Sequence, residues 1–161
     1  MCVIEIRTAE PSDAALILSF IRKLAEYERI QHEVAATLSD IARDLFGPTS
    51  RVFCDIALWD SVPAGFALWF YNYSTFRGRH GIYLEDLFVE PVYRGRGIGK
   101  ALLARLARRC RADGLDRLEW WALDWNTPSI DFYKSLGAAP VDDRTMFRLT
   151  GNALERLGDQ P

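Results

Sequence analysis

The sequence predicts a mixed α/β domain, in the α+β sense, built on one central sheet. Three observations carry that prediction. The chain has 161 residues, enough for one domain with a proper core. Its segments alternate between period-two and helix-spaced apolar patterns in the order β-α-α-β-β-β-α-β-α-β. A meander of strands therefore precedes a β-α-β crossover, which places strands and helices in one layered unit. Neither an internal repeat nor a linker composition divides residues 1–161, so a single domain is expected.

The elements follow in order. "CVIEIRTA" (2–9) alternates apolar and polar positions and reads as a strand ending before Pro11. "SDAALILSFIRKLAEYERI" (12–30) places Leu16, Phe20, Leu24 and Tyr27 at helical spacing, with Ser12 as the expected cap. A second helix spans "TLSDIARDLFG" (37–47), stopped by Gly47 and Pro48. "RVFCDIALW" (51–59) and "AGFALWFYNY" (64–73) form a hairpin about the turn "DSVPAG". After a polar loop (74–81), "IYLEDLFV" (82–89) is a strand running into Pro91. A helix with Ile98, Leu102, Leu103, Leu106 and Ala107 on one face comes next, then strand character in "GLDRLEWWALD" (114–124). "NTPSIDFYKSLGA" (126–138) is a compact helix capped by Asn126 or Thr127 and stopped by Gly137. A last strand pair is expected in "PVDDRTMFRLTG" (140–151), followed by a polar tail.

Composition excludes several classes. A net charge of −2 offers no electrostatic footprint for nucleic acid. No apolar run approaches the roughly 20 residues of a membrane span, and Glu5, Arg7, Glu10 and Asp13 break any secretory apolar region. Cys2, Cys54 and Cys110 are few and scattered, without metal-ligand spacing. A reduced, cytoplasmic setting without a metal is expected. Cys54 and Cys110 lie among apolar neighbours as core thiols, and His32 and His80 belong to no nucleophile motif.

The chemistry concentrates in "YRGRGIGKALL" (93–103). Glycines cost backbone entropy on folding, and three of them among basic residues at a helix start suit an anion cradle. A phosphate loop of the G-x-x-x-x-G-K-[ST] type does not fit, since Ala101 stands where a metal-binding hydroxyl belongs. The dinucleotide spacing G-x-G-x-x-G does not fit either. What remains is a pyrophosphate cradle without magnesium, or a basic loop that merely caps a helix.

Here the chain resembles the GNAT N-acetyltransferase superfamily. Arg94, Gly97 and Gly99 match its acetyl-CoA loop, [QR]-x-x-G-x-[GA], and "WNTPSIDFYKSLGA" (125–138) matches its closing motif. Within the superfamily, "IRKLAEYE" (21–28), "YLEDLFV" (83–89) and "WNTPSIDFYK" (125–134) are similar to the diamine (spermidine/spermine) and thialysine acetyltransferases. The resemblance implies a mostly antiparallel mixed sheet with helices on both faces and a splayed β-α site for acetyl-CoA. It also implies a homodimer, with the C-terminal strands contributing near the interface.

Residue by residue, the resemblance assigns pyrophosphate to the backbone of Gly95, Arg96, Gly97, Ile98, Gly99 and Lys100, with Arg94, Arg96 and Lys100 adding charge. Arg96 and Lys100 could equally be solvated charges. The backbone of Leu87, Phe88 and Val89 would pair with pantetheine amides, and Asn126 and Ser129 would contact the far arm. Direct transfer to an amine needs no enzyme nucleophile; it needs a proton acceptor for the ammonium and a proton donor for the departing thiolate. Tyr133, a phenol of pKa about 10, matches the donor, against the alternative of a core tyrosine.

Glu85 matches the residue that binds or deprotonates the amine, against a merely paired strand carboxylate. Alternation puts Glu85 and Asp86 on opposite faces and groups Glu85 with Tyr83 and Leu87, which makes the case for Asp86 the weaker one. Tyr27 and Glu28 match acceptor contacts, Glu28 otherwise being a solvent-facing acid, and Trp120 and Trp121 could wall a methylene chain. One departure bears on substrate: Arg144 and Thr145 stand where polyamine enzymes carry an acidic pair, the acids here being Asp142 and Asp143. That favours a singly charged amine or an amino acid such as thialysine over spermidine. A peptide-lysine acetyltransferase and a non-catalytic acyl-CoA sensor are the alternatives; the pairing of Glu85 with Tyr133 favours catalysis.

Overall fold

The computed structural model describes residues 2–160. Five strands form one sheet in the order β1 (Ile4–Thr8), β2 (Phe53–Trp59), β3 (Val62–Ser74), β4 (Arg79–Val89) and β5 (Leu118–Trp120). The first four pair antiparallel and β5 joins β4 in parallel, the mixed and mostly antiparallel sheet that was expected. The chain divides into two compact units at Trp121/Ala122. The first holds the sheet with α1 (Ala14–Tyr27), α2 (Leu38–Phe46) and α3 (Ile98–Ala112); the second holds α4 (Thr127–Ser135) and α5 (Gly151–Gly158).

The two faces of the sheet are covered for different reasons. On one face, Ile17, Leu18 and Phe20 of α1 and Ile41 of α2 close over Cys54, Ile56, Phe66, Leu68 and Phe88. Phe20 stacks on Phe66 with centroids 5.5 Å apart. Each such fully buried side chain contributes about 1.5–3 kcal/mol of apolar burial. On the opposite face lies α3, whose Ile98, Leu102, Leu103 and Leu106 are buried. It is pinned by a buried polar group: Asp55 accepts from Arg105 Nε at 2.7 Å and from Trp69 Nε1 at 3.0 Å. Arg105 also reaches the Ile6 carbonyl and Thr8 Oγ1 at the sheet edge. A carboxylate buried to this depth persists because it is fully paired.

Several expectations are corrected. Ser12 does not cap α1; it lies in a short 3-10 turn (Pro11–Asp13), where the Asp13 carboxylate accepts from the Glu10 N–H at 2.8 Å. The β2–β3 turn is tighter than "DSVPAG": Asp60 and Ser61 both have positive φ, the geometry a two-residue hairpin needs to follow strand twist, so β3 begins at Val62. The strand expected over 114–124 shortens to Leu118–Trp120, paired with Ile82, Tyr83 and Leu84 of β4. No strand pair forms over 140–151. That stretch is irregular up to α5, since Pro140 lacks a donor and Asp142–Thr145 offer no apolar face to bury. The supposed polar tail is helical, with Leu154 and Leu157 three residues apart on one side. No described helix is long and apolar enough to cross a membrane.

Candidate active site

The site is organised by a fault in β4. Leu68 of β3 pairs with Asp86, but Trp69, the next residue, pairs with Leu84. Glu85 is therefore an extra residue in a β-bulge, and the simple alternation assumed from sequence fails there. Leu84 falls on the α3 face with Trp69, while Asp86 falls on the α1 face with Leu68, Phe66 and Phe88. Tyr83, paired with Phe70, shares the face of Asp86, not that of Leu87.

The bulge also opens the sheet. β5 accompanies β4 only as far as Leu84, so residues 86–89 pair with β3 alone and present an open edge on the other side. The Glu90 N–H donates to the Ala64 carbonyl at 2.8 Å, toward β3. Alternation then turns the polar groups of Val89 and Leu87 outward and those of Phe88 inward. Of the three residues expected to meet a pantetheine chain, Leu87 and Val89 have backbone aimed at the gap. Phe88 instead contributes its ring to the core, where it is 3 % exposed. Trp120 ends β5 opposite Leu84, at the mouth of this opening; Trp121 is exposed.

Beyond β4 the chain makes a 3-10 turn (Pro91–Tyr93) and enters the glycine loop. Gly95 and Gly97 adopt φ of +73° and +86°, a region L-residues avoid, and Gly97 caps α3. The first intrahelical bond of α3 runs from the Ala101 N–H to the Gly97 carbonyl at 2.9 Å. The N–H groups of Ile98, Gly99 and Lys100 precede that bond and emerge at the positive end of the helix dipole. That arrangement fits a pyrophosphate. The two arginines of the loop are held by rings: Arg96 lies 5.0 Å from the Trp59 centroid and 5.7 Å from that of Tyr93. Arg94 lies 4.8 Å from the Tyr27 ring and 5.8 Å from that of Phe88, and its Nε donates to the Val89 carbonyl at 3.0 Å. Lys100 is exposed.

Carboxylates gather beside the bulge. Burial, and then the charges of Glu85 and Glu28, push the Asp86 carboxyl up to about 7. Burial also raises Glu28, at the C-terminal end of α1. Tyr83 is pushed up to about 12 by burial and by its acidic neighbours Glu85 and Glu119. These mutual effects bring Glu28, Tyr83, Glu85 and Asp86 into one electrostatic neighbourhood. The sequence ranked Asp86 below Glu85; register alone could reveal that the bulge exposes Glu85 and half-buries its neighbour. Lys23 of α1 forms an ion pair with Glu90, fastening that helix to the end of β4. That contact, and the Asp55–Arg105 pin under α3, link residues far apart in sequence and have no local signature.

In the second unit, Asn126 precedes α4 and is buried, and Ser129 and Tyr133 are half-buried, the Tyr133 ring lying 5.4 Å from that of Phe132. Asn126, Ser129 and Tyr133 recur at helical spacing and so share one side of α4. Among the described residues, no cluster of His, Cys, Asp or Glu could hold a metal. Cys54 and Cys110 are buried, and burial pushes both thiols up, away from nucleophilic use.

An opened strand edge running into an anion-cradling helix start, with carboxylates on the same strand, is the build of an acyl-transfer enzyme. The comparisons agree. The sequence model of the Acetyltransferase (GNAT) family matches residues 17–138. The chain is 36% identical to the thialysine N-epsilon-acetyltransferase of Bos taurus, over 98% of both proteins. It is 31% identical to the L-ornithine N5-acetyltransferase NATA1 of Arabidopsis thaliana, over 94% of this chain and 86% of that protein. Among solved structures, an integron cassette protein from the mobile metagenome of V. cholerae superposes with a TM-score of 0.81 at 27% identity, over 98% of both chains. The chain belongs to the GNAT acetyltransferase family and is an N-acetyltransferase.

Proposed function

We propose that this enzyme transfers the acetyl group of acetyl-CoA to the side-chain amine of a small α-amino acid of the thialysine or ornithine type. The observation that carries this reading is the group Glu28, Glu85 and Asp86 beside the opened edge of β4, on the same strand that leads into the glycine loop. Two of the relatives are named for that class of acceptor, the side-chain amine of an amino acid. Arg144, in place of an acid, supports an acceptor carrying a carboxylate over a diamine or polyamine.

When bound, acetyl-CoA supplies the acetyl group as a thioester. The N–H groups of the glycine loop from Gly95 to Lys100 hold its pyrophosphate, with Arg94 and Lys100 adding charge. Leu87 and Val89 offer backbone groups to its amides, and Asn126 and Ser129 bind its far arm. On the acceptor side, Tyr27, Glu28 and the two tryptophans Trp120 and Trp121 position the amine. Glu85 and Asp86 together would attract the ammonium and take its first proton; the free amine would form the new C–N bond as the C–S bond breaks and would give up its second proton to the same carboxylates. Tyr133 would give its phenolic proton to the departing sulfur and regain one from solvent. We further propose that residues 1–161 act as one catalytic domain, as a homodimer in the reducing cytoplasm. The free cysteines fit that compartment, and the exposed Val141, Met146, Phe147 and Leu149 of the C-terminal segment offer apolar surface for a second copy.

The test is a free-thiol assay with acetyl-CoA against thialysine, ornithine, lysine, diaminopropane, putrescine, spermidine and a histone-tail peptide. Tyr133→Phe runs alongside. Turnover confined to the free amino acids, lowered about 10²–10³-fold in the variant with KM little changed, is expected. Preferred turnover on the peptide or the polyamines would overturn the acceptor, and tight acetyl-CoA binding without turnover would make the chain a sensor.

A further inference from the structure

Resting on the cofactor reading above, we infer that Tyr27 is a parking site for the Arg94 guanidinium, and that the ring therefore opposes cofactor binding from the acceptor side. Three contacts define the parked state. The guanidinium lies 4.8 Å from the Tyr27 centroid, 5.8 Å from that of Phe88, and its Nε donates to the Val89 carbonyl at 3.0 Å. Each of these partners belongs to a different part of the machinery. Val89 is an outward-facing backbone group on the open edge of β4, Tyr27 is the last residue of α1 beside Glu28, and Arg94 itself opens the glycine loop.

A cation over a tyrosine face is held by the ring quadrupole, and the attraction falls away once the cation finds a full negative charge. A pyrophosphate seated on the N–H groups of Ile98, Gly99 and Lys100 places such a charge a few residues from Arg94. The guanidinium then leaves the ring. Two consequences follow from that single movement. The Val89 carbonyl is freed for a ligand amide at the moment the ligand arrives, and the Tyr27 face becomes available to the acceptor's own ammonium, which is recognised by the same cation–ring chemistry. The cofactor thus binds first and the amine second, and by linkage each raises the affinity of the other.

The signature is counterintuitive. Tyr27 touches no part of the cofactor in this scheme, yet removing its ring removes the interaction that binding must break. Tyr27→Leu should tighten coenzyme A about two- to fivefold, the worth of one partly exposed cation–ring contact. Tyr27→Phe keeps the ring and should match the parent. Titration calorimetry with coenzyme A alone reads all three proteins and requires no knowledge of the acceptor. In parallel, the Arg94 Nε–H resonance of the unaltered protein, assigned by its loss in Arg94→Lys, should move away from its ring-shifted position as coenzyme A is added. This readout stands even where Tyr27→Leu folds poorly. Unchanged or weaker coenzyme A binding by a folded Tyr27→Leu, or an Arg94 signal that saturating coenzyme A leaves in place, overturns the inference alone. Failure of the parent to bind coenzyme A overturns the cofactor reading, and the inference with it.

Discussion

Asp86→Asn should stabilise the protein at alkaline pH while damaging its activity. The carboxyl sits under α1 beside Glu85 and Glu28, and its pKa is raised to about 7 from an ordinary value near 3.8. A carboxylate whose folded pKa is raised is destabilising when ionised. Between pH 4 and 7 the native state binds more protons here than the unfolded chain, so stability falls as pH rises, and the full cost is present above pH 7. Three units correspond to about 4 kcal/mol. Asp86 keeps part of its surface exposed, so solvent screening makes that figure an upper limit.

The near-isosteric amide removes the cost. The difference in unfolding free energy between variant and parent should be close to zero at pH 4 and grow through pH 5–7. Above pH 7.5 it should level off at about 1–4 kcal/mol, or about 2–16 °C in Tm for a chain of this size. Urea or thermal unfolding at five pH values measures it, and taking the difference cancels every other titrating group. A cationic acceptor should stabilise the parent more than the variant at pH 8, because its ammonium relieves the same charge. An advantage for the variant that is flat with pH, or a loss of stability at pH 8, refutes the electrostatic reading of the site.

Three further outcomes follow from the same geometry. Arg105→Ala leaves Asp55, 2 % exposed, with only Trp69 Nε1 as a side-chain partner, and should lower stability by about 3–5 kcal/mol in denaturant unfolding. Gly97→Ala meets open space, its nearest neighbour being Ile4 Cδ1 at 4.0 Å, so its cost lies in a φ of +86°; coenzyme A affinity should fall about tenfold by calorimetry while the core helices stay folded. On the proposed acceptor reading, Arg144→Glu should shift the ratio of kcat/KM for spermidine over thialysine upward by about tenfold; an unchanged ratio removes Arg144 from acceptor choice.

What could be read from the sequence was what local chemistry dictates. The glycine loop declared itself because Gly95 and Gly97 answer a backbone requirement in place, and because a helix start beside them needs no distant partner to favour an anion. The stripe of α1 and the stop of α2 at Gly47, whose N–H donates to the Arg43 carbonyl at 3.0 Å, are legible on the same grounds. Illegible features were those decided by register or by crossing elements. Nothing in "YLEDLFV" says that β3 will skip Glu85, because the skip is a property of the pairing between Leu68 and Trp69 and their partners. The apolar residues of "TMFRLT" suggested a strand, but a strand needs a neighbour to hydrogen-bond, and β5 ends at Trp120.

The bulge has a physical use that connects the two halves of the chemistry. An unbroken β4 would carry β5 along its whole length, leaving no free backbone for a ligand, and would alternate its carboxylates to opposite faces. Adding one residue at Glu85 does two things together. It peels the strand edge from 86 to 89 away from β5, which opens a slot on the side toward which Leu87 and Val89 turn their backbone, the Val89 carbonyl accepting there from Arg94 Nε. It also brings Tyr83 onto the face that Asp86 and Phe88 share, the face covered by α1, and moves Leu84 off it. The open edge and the half-buried acid therefore meet on one strand through one irregularity. A deletion of Glu85 that restores regular pairing should close the slot and scatter the acids, abolishing coenzyme A binding as well as turnover, whereas Glu85→Gln, which keeps the bulge, should retain coenzyme A affinity and lose turnover alone. Equal loss of cofactor binding in both would mean that the Glu85 charge, and not the extra residue, shapes the slot.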